Sequence, residues 1–599
     1  MLKIRLNGDI AELKEGLELV LPQLNNTVID DSGIPVNVKR GDGLLVTLNE
    51  NEGSITYSKR AEFFRALSYI EQYGTSCRAE EAARLENVGV LLDLTLNGVM
   101  TPEGLARYFA KMALMGLNTA VIKQLVEVKE YPLCGYLRGR YTAEEMKQID
   151  DYAYSLGIEV IPAMDTLAHL DRELCWPEMG GLVDSKGVIC VGEENTYQFL
   201  EACLSALTAP YRSKRVFIGL DETLRIGRGK YLRKHGFKET AEIISEHVER
   251  LCPILGKLGL KPMMWSDIYL DKPNSPAVMS TAESVDIMLR ADSSADTKSA
   301  LETLKKFPSE VVYVGESCFK YSAVPRYDLT AGSAASDLAE CISGGIKEAL
   351  VLMSCEDGAE ADYFAGLYLL QVYAEMAYTG KADDAQIKAR FAACTGADAE
   401  AFLGLNEFDT LGGVKGNPCR LLMYQDPIIP MFEKDCEGYK FSELYGVLKT
   451  KCAAWRRENP SFAVMFEFYE KLAAMLSKKC EWHEAAGDIV RRRDCDMAKE
   501  LAMTAPAIVT AIDELRQAWR TLWYDTRKAA GFEVIDVRLG GVKLRMESAG
   551  RRMQRFAEGE LDDIEELSAP KLPYATFKDG TIGRVNLWRD ISSSANLII

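Results

Sequence analysis

"VFIGLDETLRIGRG" occupies residues 216–229 and sets two acids, Asp221 and Glu222, at the end of a short apolar run. The run has the texture of a strand buried on both faces. Neighbouring strand residues point to opposite faces, so both acids reach one pocket only where the strand ends and the backbone bends. As a lone dipeptide Asp-Glu carries no information; its place among other runs decides its meaning.

Seven further runs of the same texture flank it. They are "VGVLLDLTL" (88–96), "NTAVIKQL" (118–125), "GIEVIPAM" (157–164), "KPMMWSD" (261–267), "SVDIMLRA" (284–291), "EVVYVGES" (310–317) and "EALVLMSC" (348–355). Between them lie helical stretches such as "PEGLARYFAKMALMG", "TAEEMKQIDDYAYSLG" and "TAEIISEHVERLCPILGKLG". Several begin at Thr and end at Gly, the chemistry of helix caps. Eight buried strands, each followed by a helix, predict a (β/α)8 TIM barrel of the α/β class. An open doubly wound sheet would show a Gly-rich first turn, and "DLTLNGVM" is not one.

The barrel is assigned to residues 87–385. Residues 1–86 read as a small N-terminal α/β domain, with "DGLLVTLNENEGSITYS" as a hairpin and "RAEFFRALSYIEQYG" as a helix stopping at Gly74. Residues 386–599 read as a mainly α-helical domain closing on a strand-like "TIGRVNLWRDI".

Bulk properties bound the function. The net charge of −18 over 599 residues argues against a nucleic-acid footprint. No apolar run is long enough to span a membrane, and the polar breaks in "MLKIRLNGDIAELKEGLELV" do not suit a secretory signal. The 15 scattered cysteines favour reduced thiols and a cytoplasmic setting. The 4 histidines do not cluster, which argues against a His-based zinc site, and the chain is read as metal-free with no cofactor expected. The helical C-terminal region offers surface for a homodimer.

In a barrel of this kind chemistry sits where the strands end. The runs end on or near Asp93, Asp165, Asp221 with Glu222, Asp267, Asp292, Glu316, and Glu356 with Asp357. Carboxylates crowded at one mouth suit glycosidic-bond chemistry, in which one acid protonates the leaving oxygen and a negative group steadies an oxocarbenium-like centre. The same acids would also suit Mg²⁺ or another hard cation, and individual ones would serve as N-caps. Asp221 and Glu222 can hold different protonation states at one site. Other candidates are His169, a donor to an acid or sugar hydroxyl, and Trp265, which would stack on a sugar or plug the barrel. Arg138 and Arg140 would pair with the mouth's acids or touch substrate. Arg225, Arg228 and Lys230 form either a solvated loop or an anion contact.

The stretches "GVLLDLTLNGV", "MGLNT", "GYLRGRYTAEEMKQIDDYAYSLGIEVIPAMDTLAHL", "FIGLDETLRIGRGKYLRKHGF", "MMWSDIY", "LLMYQDPIIPMF" and "GFEVIDVRLGGVKLR" carry a resemblance to family-20 glycoside hydrolases, the β-N-acetylhexosaminidases. The chain is most similar to a divergent bacterial intracellular branch of that family. The resemblance implies Glu222 as general acid/base. It implies that Asp221 orients the substrate's 2-acetamido group, whose oxygen attacks C1. Substrate contacts are then expected from Asp93, Asp165, His169, Trp265, Asp267, Arg290, Asp292, Glu316 and Glu356.

The chain also departs from the family pattern. Thr95-Leu96-Asn97 stands where an Arg usually follows the first-strand Asp. Lys123-Gln124 replaces an acidic pair, Leu289-Arg290-Ala291-Asp292 replaces an aromatic cage, and Cys318-Phe319 and Ser354-Cys355 stand where aromatics are usual. The expected activity is therefore exo-hydrolysis of a terminal β-linked N-acetylhexosamine or modified sugar. The alternative is a catalytically altered or inactive glycan-binding homologue with a rebuilt pocket. In the absence of acetamide assistance, Asp292, Glu316 or Glu356 would have to act as the second carboxylate.

Overall fold

The computed structural model describes residues 1–221, 225–290, 297–319, 322–355 and 358–574. The N-terminal unit is a mixed sheet of β1 (Leu2–Gly8), β2 (Thr27–Ile29), β3 (Ile34–Arg40), β4 (Leu44–Leu48), β5 (Gly53–Tyr57) and β6 (Cys77–Glu81), in the order β2-β1-β3-β5-β4-β6. The expected hairpin is the antiparallel pair β4–β5. Its turn is fixed by Asn49, whose side-chain oxygen accepts from the backbone N–H groups of Asn51 and Glu52. The helix Arg60–Tyr73 packs on this sheet, and Gly74 ends it with a φ of +55°.

All eight apolar runs become strands of one closed parallel barrel. They are β7 (Asn87–Asp93), β8 (Thr119–Lys123), β9 (Glu159–Ala163), β12 (Arg215–Phe217), β13 (Lys261–Trp265), β14 (Asp286–Arg290), β15 (Val311–Gly315) and β16 (Glu348–Met353). A two-stranded hairpin, β10 (Val183–Ser185) with β11 (Val188–Ile189), is inserted between β9 and β12. Alternate residues point inward, and Leu91, Val121, Ile161, Phe217, Met263, Trp265, Met288, Val312 and Leu350 fill the interior as a packed core. The N-terminal end of the barrel carries an ion pair network: Arg215 reaches Glu159 at 2.7 Å and Glu348 at 2.6 Å.

The helix starts are closed in different ways. Thr101 caps Pro102–Met115 by accepting from the Gly104 N–H, and Gly116 closes it in the left-handed region. Thr142 forms a capping box with Glu145. Thr240, by contrast, is the first helical residue rather than the cap, and Glu239 precedes it.

The C-terminal part is helical, dominated by Phe441–Glu458, Ala463–Arg492, Cys495–Thr526 and Phe532–Ala557. It grips the barrel's loops. Arg527 donates to the carbonyls of Ala359 and Ala361 at 2.9 and 2.6 Å, and the Asn97 amide donates to the carbonyls of Gly358 and Gly531, each at 3.0 Å. The strand expected at "TIGRVNLWRDI" lies outside the described residues. All 15 cysteines are free thiols. Among the described residues no helix is long and apolar enough to cross a membrane.

Candidate active site

The fourth barrel strand is short, and its ending is unusual. After Phe217 the chain turns through two residues in the left-handed region, Gly219 (φ +71°) and Leu220 (φ +68°), before Asp221. Left-handed backbone costs a non-glycine residue roughly 1–2 kcal/mol and persists only where the surroundings enforce it. Here the Trp265 N–H donates to the Gly219 carbonyl at 3.0 Å, and Thr166 Oγ1 donates to the Ile218 carbonyl at 3.0 Å. This bend is the one required to swing an acid from the end of a strand toward the mouth.

The loop after β9 makes a matching turn at His169, with φ +59°. Ile189 of β11 donates to the Leu167 carbonyl, and Leu170 donates to the Gly187 carbonyl, so the inserted hairpin pins this loop. The two strained turns bring His169 Nε2 to 3.2 Å from Asp221 Oδ2. Arg290, the last residue of β14, approaches the same oxygen at 3.7 Å and reaches Asp267 Oδ1 at 2.8 Å. The guanidinium also lies over the Trp265 ring, 5.2 Å from its centroid.

A second cluster stands beside the first. Asp93 and Lys123 are register partners at the ends of β7 and β8, and Asp165 lies just beyond β9. Lys123 Nζ is 2.6 Å from Asp165 Oδ2 and 3.5 Å from Asp93 Oδ2. The other oxygen of Asp93 is held locally by the N–H and hydroxyl of Thr95, an Asx turn at the strand end. The other oxygen of Asp165 is buried and makes no hydrogen bond.

Charge follows from this geometry. Burial pulls against ionisation of Asp221, but His169, Lys123 and Arg290 outweigh it and hold the carboxyl below its ordinary range. The hydrogen bond to Asp221 raises the His169 imidazole above its ordinary value. Burial lifts the Asp165 carboxyl, against the opposing pull of Lys123. Burial also pushes Glu173, on the same loop, up to about 7. Lys123 loses hydration, yet Asp165, Asp93 and Asp221 together hold its ammonium above the ordinary lysine value.

These shifts give the His169–Asp221 pair a window. A lowered Asp contributes stability above its ordinary 3.8 and loses it as pH falls further; a raised His contributes below its ordinary 6.5 and loses it as pH rises through its folded value. The pair is therefore strongest near pH 5–6. His169→Gln is expected to lower the thermal midpoint most in that range and least at pH 8. Because His169 is half exposed, the loss at the maximum should be about 0.5–1 kcal/mol.

The structure thus brings Asp93, Asp165, His169, Asp221, Asp267, Trp265 and Arg290 to one rim. Trp265 is 6% exposed and packs edge-on against Phe217 at 4.9 Å, so it forms the floor, plugging the barrel. Glu316 directly follows β15. Glu222, Asp292, Glu356 and Asp357 lie outside the described residues. Arg140 does not join the rim's acids: it pairs with Glu127 at 3.3 Å and donates to the carbonyls of Pro132 and Cys134. The basic loop is spent on neighbours too. Arg225 donates to the Lys186 carbonyl, Arg228 covers Phe237, and Lys230 donates to the Gly181 carbonyl. Lys123 and Glu173 were not among the expected site residues. Lys123, noted in the sequence only as replacing one of an acidic pair, sits at a strand end like the acids and carries the opposite charge.

Among the described residues no group of three His, Cys, Asp or Glu side chains is arranged to hold a metal ion. The acids that would bind a hard cation are already gathered around the Lys123 ammonium.

Comparison with known proteins finds similarity in two stretches of the chain. Residues 123–305 match the family described as glycosyl hydrolase family 20, catalytic domain, and residues 400–586 match the glycoside hydrolase 20C C-terminal domain. A probable beta-hexosaminidase of Arthroderma benhamiae is 24% identical over 219 residues, covering 31% of this chain and 35% of the relative. The chain thus matches about a third of that relative's length. The GH20 exo β-N-acetylglucosaminidase of Vibrio harveyi, solved with N-acetylglucosamine, superposes with a TM-score of 0.51 at 16% identity, covering 67% of this chain and 74% of that one. The GH20 β-N-acetylhexosaminidase of Streptomyces coelicolor gives 0.51 at 16% identity, covering 66% and 92%. At these identities the structural likeness establishes the fold.

Proposed function

We propose that this chain, which carries a family-20 catalytic domain and a 20C C-terminal domain, is an exo-acting β-N-acetylhexosaminidase. Its substrate is a terminal β-linked N-acetylhexosamine or a modified sugar of that class. The observation that carries the reading is Asp221, presented by a strained turn and kept anionic between His169 and Arg290. An anion in that position suits the N–H of a 2-acetamido group. Orienting that group lets its oxygen attack C1 while Glu222 gives its proton to the leaving oxygen. The positive charge that develops on the acetamide is steadied by the Asp221 carboxylate. Glu222 then takes a proton from water as the water opens the intermediate at C1, and two inversions give retention.

The free cysteines support a reducing, cytoplasmic setting. The tested quantity is turnover of aryl β-glycosides. Hydrolysis confined to 2-acetamido sugars, with competitive inhibition by a thiazoline analogue of N-acetylglucosamine, is the expected result. No turnover on any sugar, with thiazoline binding retained, would favour the glycan-binding alternative.

A further inference from the structure

Three adjacent strands deliver Asp93, Lys123 and Asp165 side by side, and Asp221 arrives from the fourth. Four groups of mixed sign in this space are unusual because each carboxylate raises the cost of ionising the next. Facing the cluster are Asp93 from β7, Lys123 from β8, Asp165, His169 and Glu173 from the loop after β9, Asp221 after β12, and Arg290 from β14. The cations divide the work. Arg290 is shared with Asp267, and His169 is charged only while protonated. Lys123 is the cation that touches the buried Asp165, whose second oxygen has no hydrogen-bond partner.

We propose that Lys123 is a positioning residue for the reaction: standing between Asp93 and Asp165 and beside Asp221, it lets all three carboxylates stay ionised together near neutral pH, so that Asp221 meets the substrate as an anion. This rests on the hydrolase reading above and assigns it a residue that the strand-end acids alone did not reveal. Without the ammonium, a proton must enter the cluster to compensate the charge. Asp165 would take it first, since it is the most buried of the three, and Asp221 would be the next to gain. Shared protonation of this kind belongs to the cluster rather than to one residue.

The test compares Lys123→Met, Lys123→Arg and the double variant Lys123→Met/Asp165→Asn with wild type. kcat and KM for an aryl N-acetyl-β-glucosaminide are measured from pH 4.5 to 8.5. In Lys123→Met the acid limb should move up by about one pH unit, a roughly tenfold loss of kcat on that limb that recovers toward pH 8. Lys123→Arg should keep the wild-type limb, and the double variant, which removes one charge of each sign, should return toward it. A uniform loss at every pH in Lys123→Met, or an unmoved acid limb, would overturn the proposal.

If wild type hydrolyses no aryl glycoside, the hydrolase reading fails first, and the charge claim is then read from thermal unfolding. Lys123→Met should lose midpoint relative to wild type as pH rises from 5 to 8, because a buried carboxyl with a raised folded value loses its stabilising proton over that interval. Asp165→Asn should erase that dependence. A midpoint difference that does not change with pH would refute the role assigned to Lys123.

Discussion

Asp221→Asn and Glu222→Gln are expected to disable hydrolysis in two distinguishable ways. Asp221→Asn keeps the side chain's size and removes its charge, so the developing cation on the acetamide loses its counter-ion. Loss of one preorganised electrostatic partner at a reacting centre typically costs a factor of 10²–10³. A drop in kcat of about 10³-fold is expected here, and it should be similar for good and poor leaving groups. Glu222→Gln instead removes the proposed proton donor, a role worth roughly 10²–10⁴-fold. That loss should be large for a methylumbelliferyl leaving group and small in the first step for a dinitrophenyl one, which departs without protonation. Rates on the two aglycones in the two variants measure the difference. Equal sensitivity to the leaving group in both variants would remove the assigned roles. The Asn variant carries a second mark: with the anion gone, the His169 imidazole should fall back toward its ordinary 6.5.

Gly219→Ala should damage the site while leaving every charged group in place. A Cβ at this position would stand well inside contact distance of Asp165 Oδ1 and 3.3 Å from the Asp165 Cα. It would also require a non-glycine residue at φ +71°, next to Leu220, which already carries φ +68°. Strain of roughly 1–2 kcal/mol adds to an overpacking cost of roughly 1–3 kcal/mol, for a total near ~3 kcal/mol. The clash falls on the buried carboxylate that pairs with Lys123, so the disturbance reaches both acid clusters. A clear fall in the thermal midpoint, together with a loss of kcat above tenfold, is the expected outcome. A variant with the wild-type midpoint and rate would show that the close packing of Gly219 on Asp165 does not matter.

The rim shows which features sequence patterning reaches. Asp93, Asp165, Asp221 and Asp267 were found because a barrel's chemistry gathers at strand ends and the strands were visible as apolar runs. The partner of each acid was not visible. Lys123 contacts Asp165 across 42 positions of sequence and Arg290 contacts Asp221 across 69, separations that no local periodicity encodes. Arg140, a plausible partner by composition, turned to Glu127 nearby instead. Trp265 was ambiguous between floor and sugar platform until its packing against Phe217 and beneath Arg290 was known.

The helix starts show the same division. Thr142 caps as expected because capping is a contact between neighbours in the chain. The clasp of Arg527 on the carbonyls of Ala359 and Ala361 had no such signature.

The order of apolar runs and helices alone determined an eight-stranded barrel between a small mixed-sheet unit and a helical one, because burial of alternating strands and helices admits few closed arrangements. Which charges meet at the mouth was decided only in three dimensions. Pairing there depends on angstrom-scale approach between strand ends and on two left-handed turns, at Leu220 and His169, that residue preference would have argued against.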